Sequence, residues 1–214
     1  MRLLNGTHTF TCGLAFLAGF RTVKEAMDNK IFSSFITHLA IDEIAPSVTN
    51  NQLSLQDAKD FANKVLDRFR NPYIEHQWIS ITMQYSSKMK MRNVPIIIKN
   101  KERNGFVADA LAFGFAAYIL FMKSELNEKN EYAGKINGVE YKITDDSASL
   151  LNSIWKNNDD IKDVVVKILS NESLWGTDLN LLNGFAEKIT HYLQLFVQDG
   201  VASTLNQLEA NKKI

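Results

Sequence analysis

One cysteine, three prolines and no excess of either charge mark this 214-residue chain by what it lacks. A lone thiol, Cys12, excludes an internal disulfide framework and suits a reducing compartment, which points to the cytoplasm. The 24 basic and 24 acidic residues cancel, so no net field draws the chain to a nucleic-acid backbone or an anionic membrane surface. The four histidines, at positions 8, 38, 76 and 191, lie far apart, and with a single cysteine they offer no pair at metal-ligand spacing. Gly13 and Gly19 do not form a G-x-G-x-x-G loop and no strand precedes them, so nothing here cradles a dinucleotide phosphate in the usual way. Internal repeats, low-complexity tracts and long Gly/Ser/Pro linkers are missing too, which leaves one domain over residues 1–214.

Long hydrophobic runs are also few. Residues 12–20, behind Arg2, have the outline of a signal-peptide core, but Asn5, Gly6, Thr7, His8 and Thr9 interrupt its start, and no A-x-A site precedes Arg21, Lys24 and Glu25. Residues 106–122 approach the length of a membrane span. Asp109 and the many small residues there indicate instead a helix buried at the centre of a soluble domain.

What is present is helical periodicity. Ala58, Phe61, Ala62, Val65, Leu66 and Phe69 recur on one helix face, Ser54 with Asp57 resembles a capping box, and the helix should stop near Asn71-Pro72. Ile31, Phe32, Phe35, Ile36, Leu39, Ala40 and Ile44 trace a second stripe ending at Pro46, and Thr22 with Glu25 reads as the cap of a short helix. Further helices are predicted over 75–88, 94–102, 107–124, 147–156, 160–170 and much of 179–208. Only YAGKINGVEYKITDD breaks the pattern. There Asn137-Gly138 suits a two-residue turn between β-formers, predicting one small exposed hairpin near residues 135–143. The fold class is mainly α, with the hairpin and last helices as appendages.

Two polar constellations stand out. In LNGTH, Asn5 and His8 share a helix face one turn apart and could offer an amide and an imidazole to one polar ligand; equally, Asn5 could simply cap the helix. In RFRNPYIEHQWISITMQYSSKMKMRNVP, Lys88 and Arg92 stack at i,i+4, as do His76 and Ser80, giving a positive pocket for a carboxylate or polyhydroxylated ligand. A solvated basic helix end, with Asn71 as cap and Pro72 in the first turn, is the competing account. Cys12 with His8 has the spacing of a nucleophile pair, although a thiol in an apolar run is usually inert.

Together these segments resemble the polyol-specific long-chain dehydrogenases, whose signature K-x-x-x-x-N-x-x-H is matched by Asn5 and His8 in MRLLNGTH. Its lysine would fall one position before Met1, so the chain is expected to be a fragment that begins just after it. RFRNPYIEH, SSKMKMRNVP, ITDDSASLLNSIW and LWGTDL look most like the tagaturonate reductase (altronate oxidoreductase) branch, and Ser80 stands where mannitol dehydrogenases carry a polyol-contacting arginine. The resemblance implies an all-helical carboxy-terminal domain of the 6-phosphogluconate dehydrogenase type, working with its own amino-terminal Rossmann domain that binds NAD. It implies metal-independent hydride transfer between D-altronate and D-tagaturonate, with Asn5 donating to the reacting oxygen and His8 orienting the sugar-acid substrate. Lys88 would bind substrate oxygens, with Arg92 and His76 on its carboxylate. Fructuronate reduction is the alternative within the family, and a non-catalytic helical interaction module the alternative outside it. No nucleic acid or membrane is an expected partner.

Overall fold

A computed structural model describes residues 2–211, and its first helix carries the polar amino-terminal segment straight into the core. In α1 (Arg2–Leu17), Thr7, Thr9 and Thr11 are fully buried. Each hydroxyl donates to the carbonyl four residues back, on Leu3, Asn5 and Thr7, at 2.7 to 2.8 Å. These back-bonds satisfy the threonines without water, which is how so polar a segment lies inside the protein. The helix begins three residues before Asn5, so Asn5 is not its cap.

The Thr22/Glu25 capping box opens α2 (Val23–Asp28) as the pattern predicts, with Glu25 N–H donating to Thr22 Oγ1 at 3.1 Å. The next stripe does not end at Pro46. It runs through α3 (Lys30–His38), a π-turn over Leu39–Ile44, and α4 (Ala45–Ser47), which contains the proline. Proline lacks an N–H and its ring presses on the carbonyl four residues back. The wider turn, in which Ala45 N–H reaches Ala40 O, five residues back, makes room for it. The same arrangement recurs before Pro95: Met89–Asn93 is a π-turn, and Val94 N–H reaches Met89 O.

α5 (Leu55–Phe69) stops just before Asn71-Pro72, as expected. The single helix expected over 75–88 is instead two short ones, α6 (Trp78–Ile81) and α7 (Tyr85–Lys88). His76 precedes α6, so it does not stack on Ser80 along a helix. Tertiary bonds break the run. Gln84 takes a left-handed backbone (φ 52°) while its N–H donates to Thr144 O at 2.8 Å, and the Asp145 carboxylate accepts from Ser86 N–H at 2.7 Å. A partner so far along the chain is invisible to local periodicity.

α8 (Val94–Asn104) leads to α9 (Asp109–Phe121), in which 11 of 13 residues are buried. α9 is the central helix the sequence predicts at this place. α1 crosses it closely because residue 114 is glycine: a Cβ there would stand 2.9 Å from Phe10 O. Ala108, at the start of α9, offers no side-chain cap. Glu43, from the first π-turn and only 5% exposed, supplies one instead, accepting from Ala110 N–H at 3.0 Å and Leu111 N–H at 2.9 Å while His38 Nε2 lies 3.1 Å from its outer edge.

The predicted hairpin is present within a three-stranded antiparallel sheet of β1 (Glu125–Leu126), β2 (Tyr132–Ile136) and β3 (Val139–Lys142); β1 was not anticipated. Asn137 and Gly138 have φ of 48° and 79°, as a two-residue turn of this hand requires. The hairpin is not merely exposed. Tyr141 packs where a Gly134 Cβ would clash with its ring, and its hydroxyl donates to Phe121 O at 2.8 Å.

The remaining elements are α10 (Ala148–Lys156), α11 (Ile161–Leu169), α12 (Glu172–Trp175), a 3₁₀ turn over Leu179–Leu181, α13 (Phe185–Asp199) and α14 (Val201–Asn211). Gly184 and Gly200, both at positive φ, divide the run expected over 179–208. Nor is α13 an appendage. It lies along α9, with Phe196 edge-on to Phe113 at 4.7 Å between ring centroids. Among the described residues, no helix is long and apolar enough to cross a membrane.

The Glu43 cap generates a stability prediction. Glu43→Gln, which keeps the shape and one acceptor but removes the charge facing the helix, should lower unfolding free energy by about 1–2 kcal/mol. Glu43→Ala, which strips both N–H groups of their partner, should cost roughly 3 kcal/mol or more. Urea unfolding midpoints measure both; a Glu43→Ala midpoint equal to that of the parent would show that α9 needs no such cap.

Candidate active site

Three parts of the chain bring His8, His76 and Arg92 together. α1 presents Asn5 and His8, both half-buried. The imidazole of His8 lies flat on Phe69, the last residue of α5, with centroids 4.1 Å apart and planes within 8°. Its edge meets His76 at 5.5 Å and Trp78 at 6.2 Å, both rings near perpendicular to it. Three rings, from the end of α5 and the segment before α6, thus fix the orientation of one imidazole.

The loop that carries His76 is pinned by backbone bonds. Val23 N–H donates to His76 O at 2.9 Å and Trp78 N–H donates to Arg21 O at 3.0 Å, so the exposed His76 side chain rises from a held strand-like segment. From the other side, Arg92 leaves the second π-turn and Nη1 donates to Thr9 Oγ1 at 3.2 Å. Thr9 in turn donates to Asn5 O, which ties the guanidinium to the turn of α1 between Asn5 and His8. Lys88 ends α7, one turn before Arg92, and its Nζ donates to Ile81 O at 2.9 Å. Among the described residues the Asn5 side chain makes no hydrogen bond, leaving its amide available.

Electrostatics give each group a role. Burial, then the charges of His76, Arg68 and Arg92, push the His8 pKa from 6.5 down to about 3. His8 is therefore a neutral imidazole, with one nitrogen to donate and one to accept. Burial lowers the Lys88 pKa, helped by the Arg92 charge and opposed by Cys12 and Asp145. Cys12 sits in the core with its pKa pushed by burial up to about 12, so it is an inert thiol rather than a partner for His8. Among the described residues, none of Arg68, Lys88 and Arg92 forms an ion pair, whereas eight pairs form elsewhere. The face around His8 therefore carries positive charge without a matching carboxylate in contact. No three His, Cys, Asp or Glu side chains among the described residues converge as metal ligands.

Sequence reasoning missed Arg68, Phe69, Thr9 and Trp78 as members of this cluster. Phe69 read as a core residue on the α5 stripe and Arg68 was not singled out; only the docking of α5 against α1 turns the pair into a platform and a charge beside His8. Neither of two clefts of about 780 and 790 Å³ in the molecule is lined by Asn5, His8, His76, Lys88 or Arg92.

The chain matches the mannitol dehydrogenase C-terminal domain model over residues 1–197 and belongs to that family. Among curated relatives, altronate oxidoreductase of Klebsiella pneumoniae (strain 342) is 32% identical over 212 residues, which cover 96% of this chain and 41% of that protein. Altronate oxidoreductase of Bacillus subtilis (strain 168) is 31% identical, covering 97% of this chain and 40% of that one. Among solved structures, a ternary complex of Pseudomonas fluorescens mannitol 2-dehydrogenase with NAD and D-mannitol superposes with a TM-score of 0.78 at 26% identity, over 96% of this chain and 39% of that one. A substrate-free D-sorbitol dehydrogenase, at 17% identity, a TM-score of 0.68 and coverage of 95% of this chain and 39% of its own, shares the fold. The chain spans about two fifths of the length of the curated relatives it matches.

The depressed His8 pKa has a measurable consequence. In the unfolded chain His8 takes a proton below its ordinary 6.5, while in the folded chain it resists protonation down to about 3. The stability this contributes is fully present above 6.5 and is lost as pH falls from there towards about 3, because the unfolded state binds the extra proton. In an NMR titration the His8 ring resonances should still be those of neutral imidazole at about pH 5. A midpoint near 6.5 would mean that the ring is solvated and the stacked arrangement is wrong.

Proposed function

We propose that the chain is the substrate-binding and catalytic domain of an NAD-dependent oxidoreductase that interconverts D-altronate and D-tagaturonate in the cytoplasm. The observation that supports this reading is the meeting of neutral His8 with His76 and the charges of Arg68 and Arg92, on the helix where the Asn5 amide makes no hydrogen bond. A sugar acid suits that face better than a neutral polyol, because Arg68 and Arg92 have no carboxylate of the protein in contact. The altronate oxidoreductase relatives point the same way.

In this reading Asn5 Nδ2 donates to the oxygen on the reacting carbon, where negative charge develops as the hydroxyl is oxidised. His8, uncharged, holds a neighbouring hydroxyl by donating or accepting and adds no charge that would compete for the alkoxide. Lys88 and Arg92, one helical turn apart, bind oxygens further along the substrate, and His76 with Arg92 receives the carboxylate. The proton leaves to the lysine that the family pattern sets five residues ahead of Asn5.

Among the described residues the sheet is a three-stranded antiparallel one, and no step is assigned through NAD to the residues of this chain. NAD, which takes up the hydride in this reading, would be held by an amino-terminal Rossmann domain, the proposed partner of this chain. Relatives more than twice as long, and a site whose residues line neither of the two clefts described, support a site shared between two domains.

Two measurements test the proposal. In the protein joined to its nucleotide-binding domain, Asn5→Ala should lower kcat for altronate by about 10²- to 10³-fold, while Arg92→Gln should raise KM for altronate far more than for the neutral polyol altritol. An unchanged turnover number would remove Asn5 from the alkoxide site. Calorimetric titration of the 214-residue chain with NAD should give no saturable heat. Micromolar binding would put a nucleotide site in this chain and overturn the division of labour.

A further inference from the structure

A cleft of about 780 Å³ lies between the hairpin, the end of α9, α10 and the α13–α14 junction, lined by none of the residues around His8. Two of its lining side chains carry polar atoms that are shut from water and have no partner: Ser124 Oγ and Trp155 Nε1. Ser124 is only 5% exposed, and its carbonyl accepts from Asn152 Nδ2 while its hydroxyl has no partner. An indole N–H can only donate, and a free hydroxyl can donate as well. Buried polar groups are rarely left without a partner, and two beside one cavity ask for an acceptor.

The charge around them sets the sign of that acceptor. The exposed Lys123 holds its ammonium 4.8 Å above the Trp155 ring. Around the cleft Lys123, Lys135 and Lys156 outnumber Glu125 and Glu140 by one charge, which suits a monoanion. The opposite wall is apolar, formed by Leu17, Leu120, Phe196 and Val201. We propose that this cleft binds a small amphipathic carboxylate. Its oxygens accept from Trp155 Nε1 and Ser124 Oγ beside the Lys123 ammonium, and its tail lies on the apolar wall. Both donors are shut from water without a ligand, so the exposed, flexible Lys123 side chain and the cleft mouth shift to admit the carboxylate. The proposal does not rest on the oxidoreductase reading.

Sodium octanoate is the probe, titrated into the ¹⁵N-labelled chain. The chain has three tryptophans, and Trp155→Phe assigns the relevant indole peak. The Trp155 N–H resonance should move downfield and saturate at millimolar octanoate, while that of Trp175, already bonded to Ile168 O, stays in place. Lys123→Gln, at an exposed position, and Ser124→Ala should each weaken the apparent Kd by about tenfold. Ser124→Ala should also leave Tm unchanged or raise it, since it removes a hydroxyl with no partner. No movement of the Trp155 peak, an equal response to 1-octanol, or binding untouched by both substitutions would each overturn the proposal.

Discussion

A helix that is apolar on every side can be buried only if its first N–H groups find acceptors inside the protein, and α9 meets that condition through Glu43. Water cannot reach those groups, and Ala108 has nothing to offer them. The acceptor therefore comes from elsewhere in the chain, on a turn whose extra width places Glu43 beneath the start of α9. That turn is widened in front of Pro46, so a proline, a carboxylate and two amide hydrogens far apart in sequence form one unit. α1 and α13 pack on the helix so held, and α1 carries the amide and imidazole of the site. The candidate site rests on the core through this single column.

The second π-turn serves the site directly. It ends before Pro95 and delivers Arg92 to Thr9, as the first delivers Glu43 to α9. In both places a proline that would interrupt a regular helix is accommodated by one additional residue per turn, and the displaced face carries a charged side chain inward. Spacing counted at 3.6 residues per turn cannot anticipate this. Lys88 and Arg92 were expected one above the other on an ordinary helix; they lie on either side of the change in pitch, with Lys88 turned to Ile81 O and Arg92 to α1.

Much of the fold was legible because it depends on short-range rules. The Thr22/Glu25 box, the Asn137-Gly138 turn, the stop near Pro72 and the buried run of α9 all follow from neighbours within a few positions. What failed needed distant partners: Thr144 and Asp145 breaking the helix at Gln84, β1 joining the hairpin, and α13 packing into the core rather than hanging from it. The site divides in the same way. Asn5 and His8 follow from one motif on one helix, while the stacking surface of Phe69 and the neighbouring Arg68 charge exist only once α5 docks. The family resemblance named the likeness and its residues; the electrostatic state of His8 came from burial, which no motif records.

The absence of a side chain at residue 114 reaches further than packing density. With only a hydrogen there, the backbone at Phe10 lies against α9, and this sets how deep α1 is seated. His8 and Thr9 are the residues immediately before that contact, and Arg92 is fastened to Thr9. Seating depth at one glycine is thus geared to the distance between amide, imidazole and guanidinium, and in the proposed reaction a displacement of about 1 Å there would be worth some 10²-fold in rate. The crossing acts as the focusing screw of the site.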